Sequence, residues 1–262
     1  IPLMFASAIF VMFTQADRFV LARVATVEEI SAYSVGAMIA LLPATLVSSI
    51  IAPATARVLR VHATDGTAAA LNLTRQLIAV QLPVAVLGCG GFIVCLAPLL
   101  TITGGPYGSS PIATATAAAL TCGHLTRLVY LFSQNTLFCL KRRQTILVLN
   151  ILLLAVGVIA AYLLHQSFGS SLVGWYFAIS YVSLSVASSF IRVGGDRLGI
   201  PLIPVLAGAI VLSAVVMLEV RFTLHAQAAC SHTLGVKAVQ IGILGAATTL
   251  FIAARRRGLI RS

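Results

Sequence analysis

Apolar residues occur along this chain in long continuous blocks, separated by short groups of basic, Gly, Pro or small polar residues. Eight blocks approach the ~20 apolar helical residues that a hydrocarbon core of ~30 Å requires. They are residues 1–25, 30–59, 77–102, 112–140, 145–164, 173–191, 200–218 and 236–254. The blocks do not alternate in the ~10-residue segments of a transmembrane β-barrel. The pattern predicts an all-α fold, a polytopic membrane helix bundle of about eight transmembrane helices.

Composition makes the same point. Of 262 residues, 60% are hydrophobic and 9% charged, whereas about a quarter of an ordinary soluble domain is charged. That excludes a water-soluble domain and a disordered chain. The net charge of +11 does not imply nucleic acid, because the basic residues are not gathered on one face but lie in clusters between apolar blocks. These clusters are Arg57, Arg60 and Arg75 against Asp65; Lys141, Arg142 and Arg143; Arg192 and Arg197 against Asp196; and Arg255, Arg256, Arg257 and Arg261. The intervening loops are neutral or mixed. Lys and Arg near span ends mark cytoplasmic loops, so a plasma (inner) membrane protein with both chain ends cytoplasmic is expected. Tyr33, Tyr107, Tyr162, Trp175 and Tyr176 fall near the expected outer ends of spans, which reads as an interfacial aromatic belt.

Polar groups inside the apolar blocks are the informative ones, since a charge at mid-bilayer costs about 2.5–3.5 kcal/mol on insertion scales. The first block carries Gln15, Asp17 and Arg18. Adjacent helical residues point about 100° apart, so Asp17 and Arg18 cannot share a face. Asp17 is either a partner in an internal ion pair or a candidate ion or proton site, and Arg18 either reaches the outer headgroups or lines a cavity. The fourth block carries Gly123, Arg127, Tyr130 and Gln134 at helical spacing, with His124 one turn before Arg127. Such a stripe serves either as interhelical hydrogen-bonding glue or as a cationic cavity wall. Arg suits phosphate because its planar fork donates two parallel hydrogen bonds. Asn150 reads as a helix contact. Pro43, Pro53, Pro83 and Pro98 are candidate kinks. The cysteines read as buried free thiols, and Cys230 with His232 makes too small a set for a metal site. The Asn72-Leu73-Thr74 triplet lies on the expected cytoplasmic side. With no P-loop, HExxH or GxSxG sequence present, neither a cofactor nor enzymatic activity is expected.

A family resemblance rests on particular stretches. Phe13-Thr14-Gln15-Ala16-Asp17-Arg18-Phe19-Val20-Leu21 is an apolar helix ending in Asp-Arg. It is followed by the step at Ala32-Tyr33 and by Ile51-Ala52-Pro53. Residues 133–154, around Lys141-Arg142-Arg143, and residues 168–186, with Gly169 and Gly174, add a second stretch, although Trp175-Tyr176 stand where small residues are usual. Over about 190 residues the chain resembles polysaccharide-type lipid flippases of the multidrug/oligosaccharidyl-lipid/polysaccharide flippase superfamily, specifically the C-terminal part of a fourteen-helix member.

The resemblance implies that residues 1–192 form a six-helix C-terminal lobe and residues 193–262 two further transmembrane helices with a basic tail. The N-terminal lobe would then precede this chain, which starts without an initiator Met. The implied activity is alternating-access flipping of a polyprenyl-(pyro)phosphate-linked oligosaccharide between leaflets for cell-surface polysaccharide biosynthesis. Glycan polymerases or ligases are the implied partners. Arg127 and Arg18 would bind the phosphate, with Gln134, Tyr130 and His124 beside them, and Asp17 would couple an ion. Two rivals are a multidrug or small-molecule exporter, which calls for an acidic and aromatic cavity, and a non-transporting membrane subunit of a glycan-assembly complex.

Overall fold

The computed structural model describes residues 2–189, 192–193 and 196–197. The described fold is helical apart from one two-residue antiparallel ribbon pairing Arg192–Val193 with Asp196–Arg197. The seventh and eighth apolar blocks lie outside the described residues, so the helical class is shown and the count of eight is not. Two stretches, Val27–Val94 and Arg143–Phe168, are long and apolar enough to cross a membrane, and the bent pair Met4–Thr14 and Ala16–Val24 makes a third when taken together.

The first block forms two helices, α1 (Pro2–Thr14) and α2 (Ala16–Val24), bent by 42° at Gln15. A turn at Thr26 leads into α3 (Val27–Ile39). The Thr26 hydroxyl accepts from the Glu29 backbone N–H at 3.3 Å, and the Glu29 carboxylate accepts from the Thr26 N–H at 2.9 Å. This reciprocal capping satisfies two backbone donors that the helix start would otherwise strand. Helix α4 (Leu41–Val94) follows, then α5 (Leu96–Thr103). The breaks at Ala40 and Cys95 each fall three residues before a proline, Pro43 and Pro98. Each proline occupies the first turn of the next helix, where its missing N–H costs least. Pro53 and Pro83 lie inside α4 without ending it.

Helix α4 is not straight. Gly66 has φ 85° and ψ −177°, a backbone conformation that favours glycine. A Cβ built on Gly88 would meet Leu46 Cδ1 at 3.1 Å, although a straight helix would hold those residues roughly 63 Å apart. The chain therefore doubles back at Gly66, and residues 41–65 and 67–94 run as antiparallel arms. Helix α6 (Pro111–Cys139), α7 (Arg143–Phe168) and α8 (Trp175–Ser189) complete the set. Taking each bent or broken pair as one, the described helices make six rods.

Helix α6 is the centre of the bundle. One face, including Ala113, Ala117, Cys122, Leu125, Val129 and Phe132, packs with both arms of α4 and with α5. The other, through Leu120, Tyr130 and Leu137, packs with α1, α2, α3, α7 and α8. Large apolar side chains on the outer rods face outward, with Met4, Phe19 and Ile102 at 77%, 66% and 81% exposure. A water-soluble bundle would bury such a belt; hydrocarbon accommodates it.

The two ends of the bundle differ in charge. Val58 and Ala70 near the Gly66 turn share a small buried cluster with Cys139. The Gly66 turn and the Lys141-Arg142-Arg143 turn therefore lie at one end. The turns at residues 104–110 and 169–174, which carry no charged side chain, both contact α3 near the opposite end. Three cysteines, Cys89, Cys122 and Cys139, are buried free thiols as expected; Cys95 is exposed at the α4–α5 break instead. Cys230 and His232 lie outside the described residues.

Candidate functional site

The stripe on α6 divides into a satisfied half and an unsatisfied half. In the satisfied half, the Gln134 amide donates to Tyr130 Oη at 3.0 Å and to Asn150 Oδ1 at 2.8 Å. The Tyr130 hydroxyl donates to the same Asn150 oxygen at 3.1 Å. Asn150, on α7, donates in turn to the Ala6 carbonyl of α1 at 3.3 Å. All three side chains are buried. This closed triangle ties α6, α7 and α1 together, so Tyr130 and Gln134 spend their polar atoms on neighbouring helices. Asn135, on the adjoining face, donates to Thr55 Oγ1 on the first arm of α4 at 2.5 Å.

The unsatisfied half lies one to two turns earlier. Arg127 is half-buried, its guanidinium carbon 5.4 Å from the centre of the Phe10 ring on α1, a cation–π contact. Its buried Nε has no hydrogen-bond partner. His124 is also half-buried; its ring lies edge-on to Phe177 at 5.0 Å, and its Nδ1 is likewise buried without a partner. The hydroxyl of Tyr181, on α8, is a third such atom. Phe177 links His124 to Tyr181, whose ring is 4.8 Å away. A Cβ at Gly123 would collide with the Phe177 ring, so the glycine is what lets α8 approach α6 here. Unpartnered buried polar atoms cost free energy wherever they occur. Two of them beside a guanidinium whose own Nε is unpartnered make a locus suited to an anion or ordered water.

Asp17 and Arg18 part company. Asp17 is buried, in the first turn of α2. Its Oδ2 accepts from the Tyr33 hydroxyl at 2.5 Å, and its Oδ1 accepts from the Arg18 backbone N–H at 2.8 Å. Arg18 itself is exposed on the outside of the same turn. Its side chain therefore does not share the buried locus of Arg127 and His124. The bend at Gln15 allows this arrangement: it starts a fresh helix at Ala16, whose positive end faces the carboxylate. The Tyr176 hydroxyl donates to the Phe13 carbonyl at the same bend, at 3.4 Å.

No family model, curated protein or solved structure matches the chain. The reading of the site therefore rests on its geometry.

Two of the belt aromatics need correcting. Tyr33 and Tyr176 are almost fully buried, because Asp17 and the broken backbone at Phe13 supply polar partners inside the bundle. Tyr162 is exposed and Trp175 and Tyr107 are half-buried, as residues at an interface are. The sequence reading missed Tyr181, Phe10 and Phe177 as neighbours of the cation. The spacing of Phe177 and Tyr181, one helical turn apart on one face, was the available signal.

Proposed function

We propose that the chain is the C-terminal part of a plasma-membrane transporter that flips a polyprenyl-(pyro)phosphate-linked oligosaccharide from the inner to the outer leaflet. Arg127 carries the reading. It is a half-buried cation on the central helix of an apolar bundle, and its Nε has no protein partner. A cation so placed is costly unless an anion completes it. In the proposal Arg127 and His124 receive the phosphate while the polyprenyl tail stays among the outward apolar side chains. Tyr130 and Gln134 position α6 through Asn150, and Asp17, held by Tyr33, is the ion-coupling group. Arg18, exposed near the end opposite the Gly66 turn, meets the phosphate when the substrate leaves. An N-terminal lobe, two further helices after residue 192 and cytoplasmic chain ends belong to the same proposal, as do glycan polymerase or ligase partners.

Full-length protein bearing Arg127→Ala or Asp17→Asn, at matched membrane levels, tests the reading through surface glycan. The proposal expects surface glycan to fall at least about tenfold with Arg127→Ala, the ~1.4 kcal/mol or more of a lost charged hydrogen bond. Undiminished surface glycan in both variants would remove these residues from the mechanism.

The closed triangle favours a second reading, a non-transporting membrane subunit in which the stripe is packing glue. A cysteine at position 127 discriminates the two. Reaction with a membrane-impermeant thiol reagent supports a cavity, and protection supports the scaffold.

A further inference from the structure

The basic end of the bundle is more than a topological signal. Helix α6 closes with Lys141 at φ 56°. The Lys141 N–H donates to the Phe138 carbonyl at 2.9 Å and the Arg142 N–H to the Leu137 carbonyl at 3.1 Å. That hydrogen-bond pair is a helix-closing motif whose left-handed position normally belongs to glycine. Here a lysine holds it. Helix α7 then starts at Arg143 with Arg142 as its N-cap, and no side chain caps its free N–H groups. Three consecutive exposed cations thus stand on the positive end of a 26-residue helix, where the helix dipole favours anions. The cations on the α7 side of this turn are electrostatically unfavourable without an external anion, although the C-terminal end of α6 offsets part of this at Lys141.

The opposing jaw is basic too. Arg57 and Arg60 are exposed on the first arm of α4 and Arg75 is half-exposed on the second. The buried Nδ1 of His62 has no partner. Val58, Ala70 and Cys139 form a buried apolar cluster that packs the two turns together, and the half-buried Val61, Leu73 and Leu77 lie against it. The Asn135–Thr55 bond holds the jaws together. From residue 30 to residue 195 the only acidic side chain is Asp65, and no ion pair joins these cations among the described residues.

We propose that the basic surface formed by the Gly66 turn and the Lys141–Arg143 turn binds the headgroup of an anionic phospholipid. The phosphate would lie between Arg57 and Lys141–Arg143, and the first acyl carbons against Val61, Leu73 and Leu77. The lipid class follows from charge complementarity and from the apolar belt, which places this end at a bilayer surface. The proposal is independent of what the protein transports.

Lipid retention on the purified full-length protein, measured by native mass spectrometry, tests it with phosphatidylglycerol and phosphatidylcholine as probes. Wild type is expected to retain phosphatidylglycerol preferentially, and less of it as salt rises. Each surface cation contributes about 1 kcal/mol, so Arg142→Gln with Arg143→Gln should lower the preference at least about tenfold. Lys141→Gly removes a charge while relaxing the left-handed backbone. It should lower the preference about fivefold while raising the unfolding temperature, so misfolding cannot explain its loss of lipid. Arg23→Gln, at the other end, should change nothing. Equal retention of the two lipids would overturn the proposal. So would undiminished preference in the α6–α7 variants, or displacement of phosphatidylglycerol by a single-stranded RNA oligonucleotide.

Discussion

A carboxylate buried in an apolar bundle has to be held by donors, and Asp17 has two: the Tyr33 hydroxyl and the Arg18 backbone N–H. Removing the first leaves one carboxylate oxygen without its donor, at a cost of about 1.5–3 kcal/mol for a hydrogen bond to a charged group. Tyr33→Phe should therefore lower the unfolding midpoint in detergent. Tyr33→Phe in an Asp17→Leu background should cost clearly less, since no charge then awaits the hydroxyl. Equal losses in both backgrounds would mean that Tyr33 acts by packing alone. Asp17 was legible in the sequence because a charge inside an apolar block stands out. Tyr33 was not, because a tyrosine near a span end suits either a lipid interface or a buried partner. Which one it finds depends on the Thr26 turn, which folds α3 back beside α2 and about which helical periodicity says nothing. Arg18 followed its phase: with Asp17 turned inward, its neighbour on the helix had to turn out.

At the level of elements, α6 does two jobs on successive turns. Tyr130 and Gln134 bind it to Asn150 of α7, while His124 and Arg127 face α1 and α8 with unpartnered nitrogens. Asn150→Ala should release both Tyr130 and Gln134. Interhelical side-chain hydrogen bonds in membranes are worth about 0.6–2 kcal/mol, so a loss near that range is expected from equilibrium unfolding in detergent, with the glycan phenotype weaker than that of Arg127→Ala. An Asn150→Ala phenotype as severe as that of Arg127→Ala at equal protein level would place the triangle in the transport path instead. The rods themselves were readable from block length, and the stripe from helical spacing. Its division was not, since spacing gives a shared face and not the partner each residue meets there. The prolines were legible only in part. Pro43 and Pro98 mark helix starts and Pro53 and Pro83 lie within one, although all four are the same residue in similar apolar surroundings. A reversal between the second and third blocks was legible, but its place at Gly66 was not, because the mixed residues 60–65 and 67–76 continue both arms as helix beyond the apolar blocks.

At the scale of the molecule, five helical rods surround α6, with a basic end at the Gly66 and Lys141–Arg143 turns and an end of mixed charge, Arg23 with Glu28 and Glu29 beside two uncharged turns, opposite. That polarity, with the outward apolar belt, is what loop charge predicted. The central claim is that the Arg127 locus carries the phosphate of a lipid-linked glycan across the bilayer. The most direct measurement reconstitutes full-length protein into vesicles holding a fluorescent polyprenyl-pyrophosphate oligosaccharide and follows quenching by an impermeant reductant. Lipid transferred between leaflets by wild type, and at least about tenfold more slowly by Arg127→Ala, is the predicted result. No transfer by wild type under an imposed ion gradient, or equal transfer by both proteins, would contradict it.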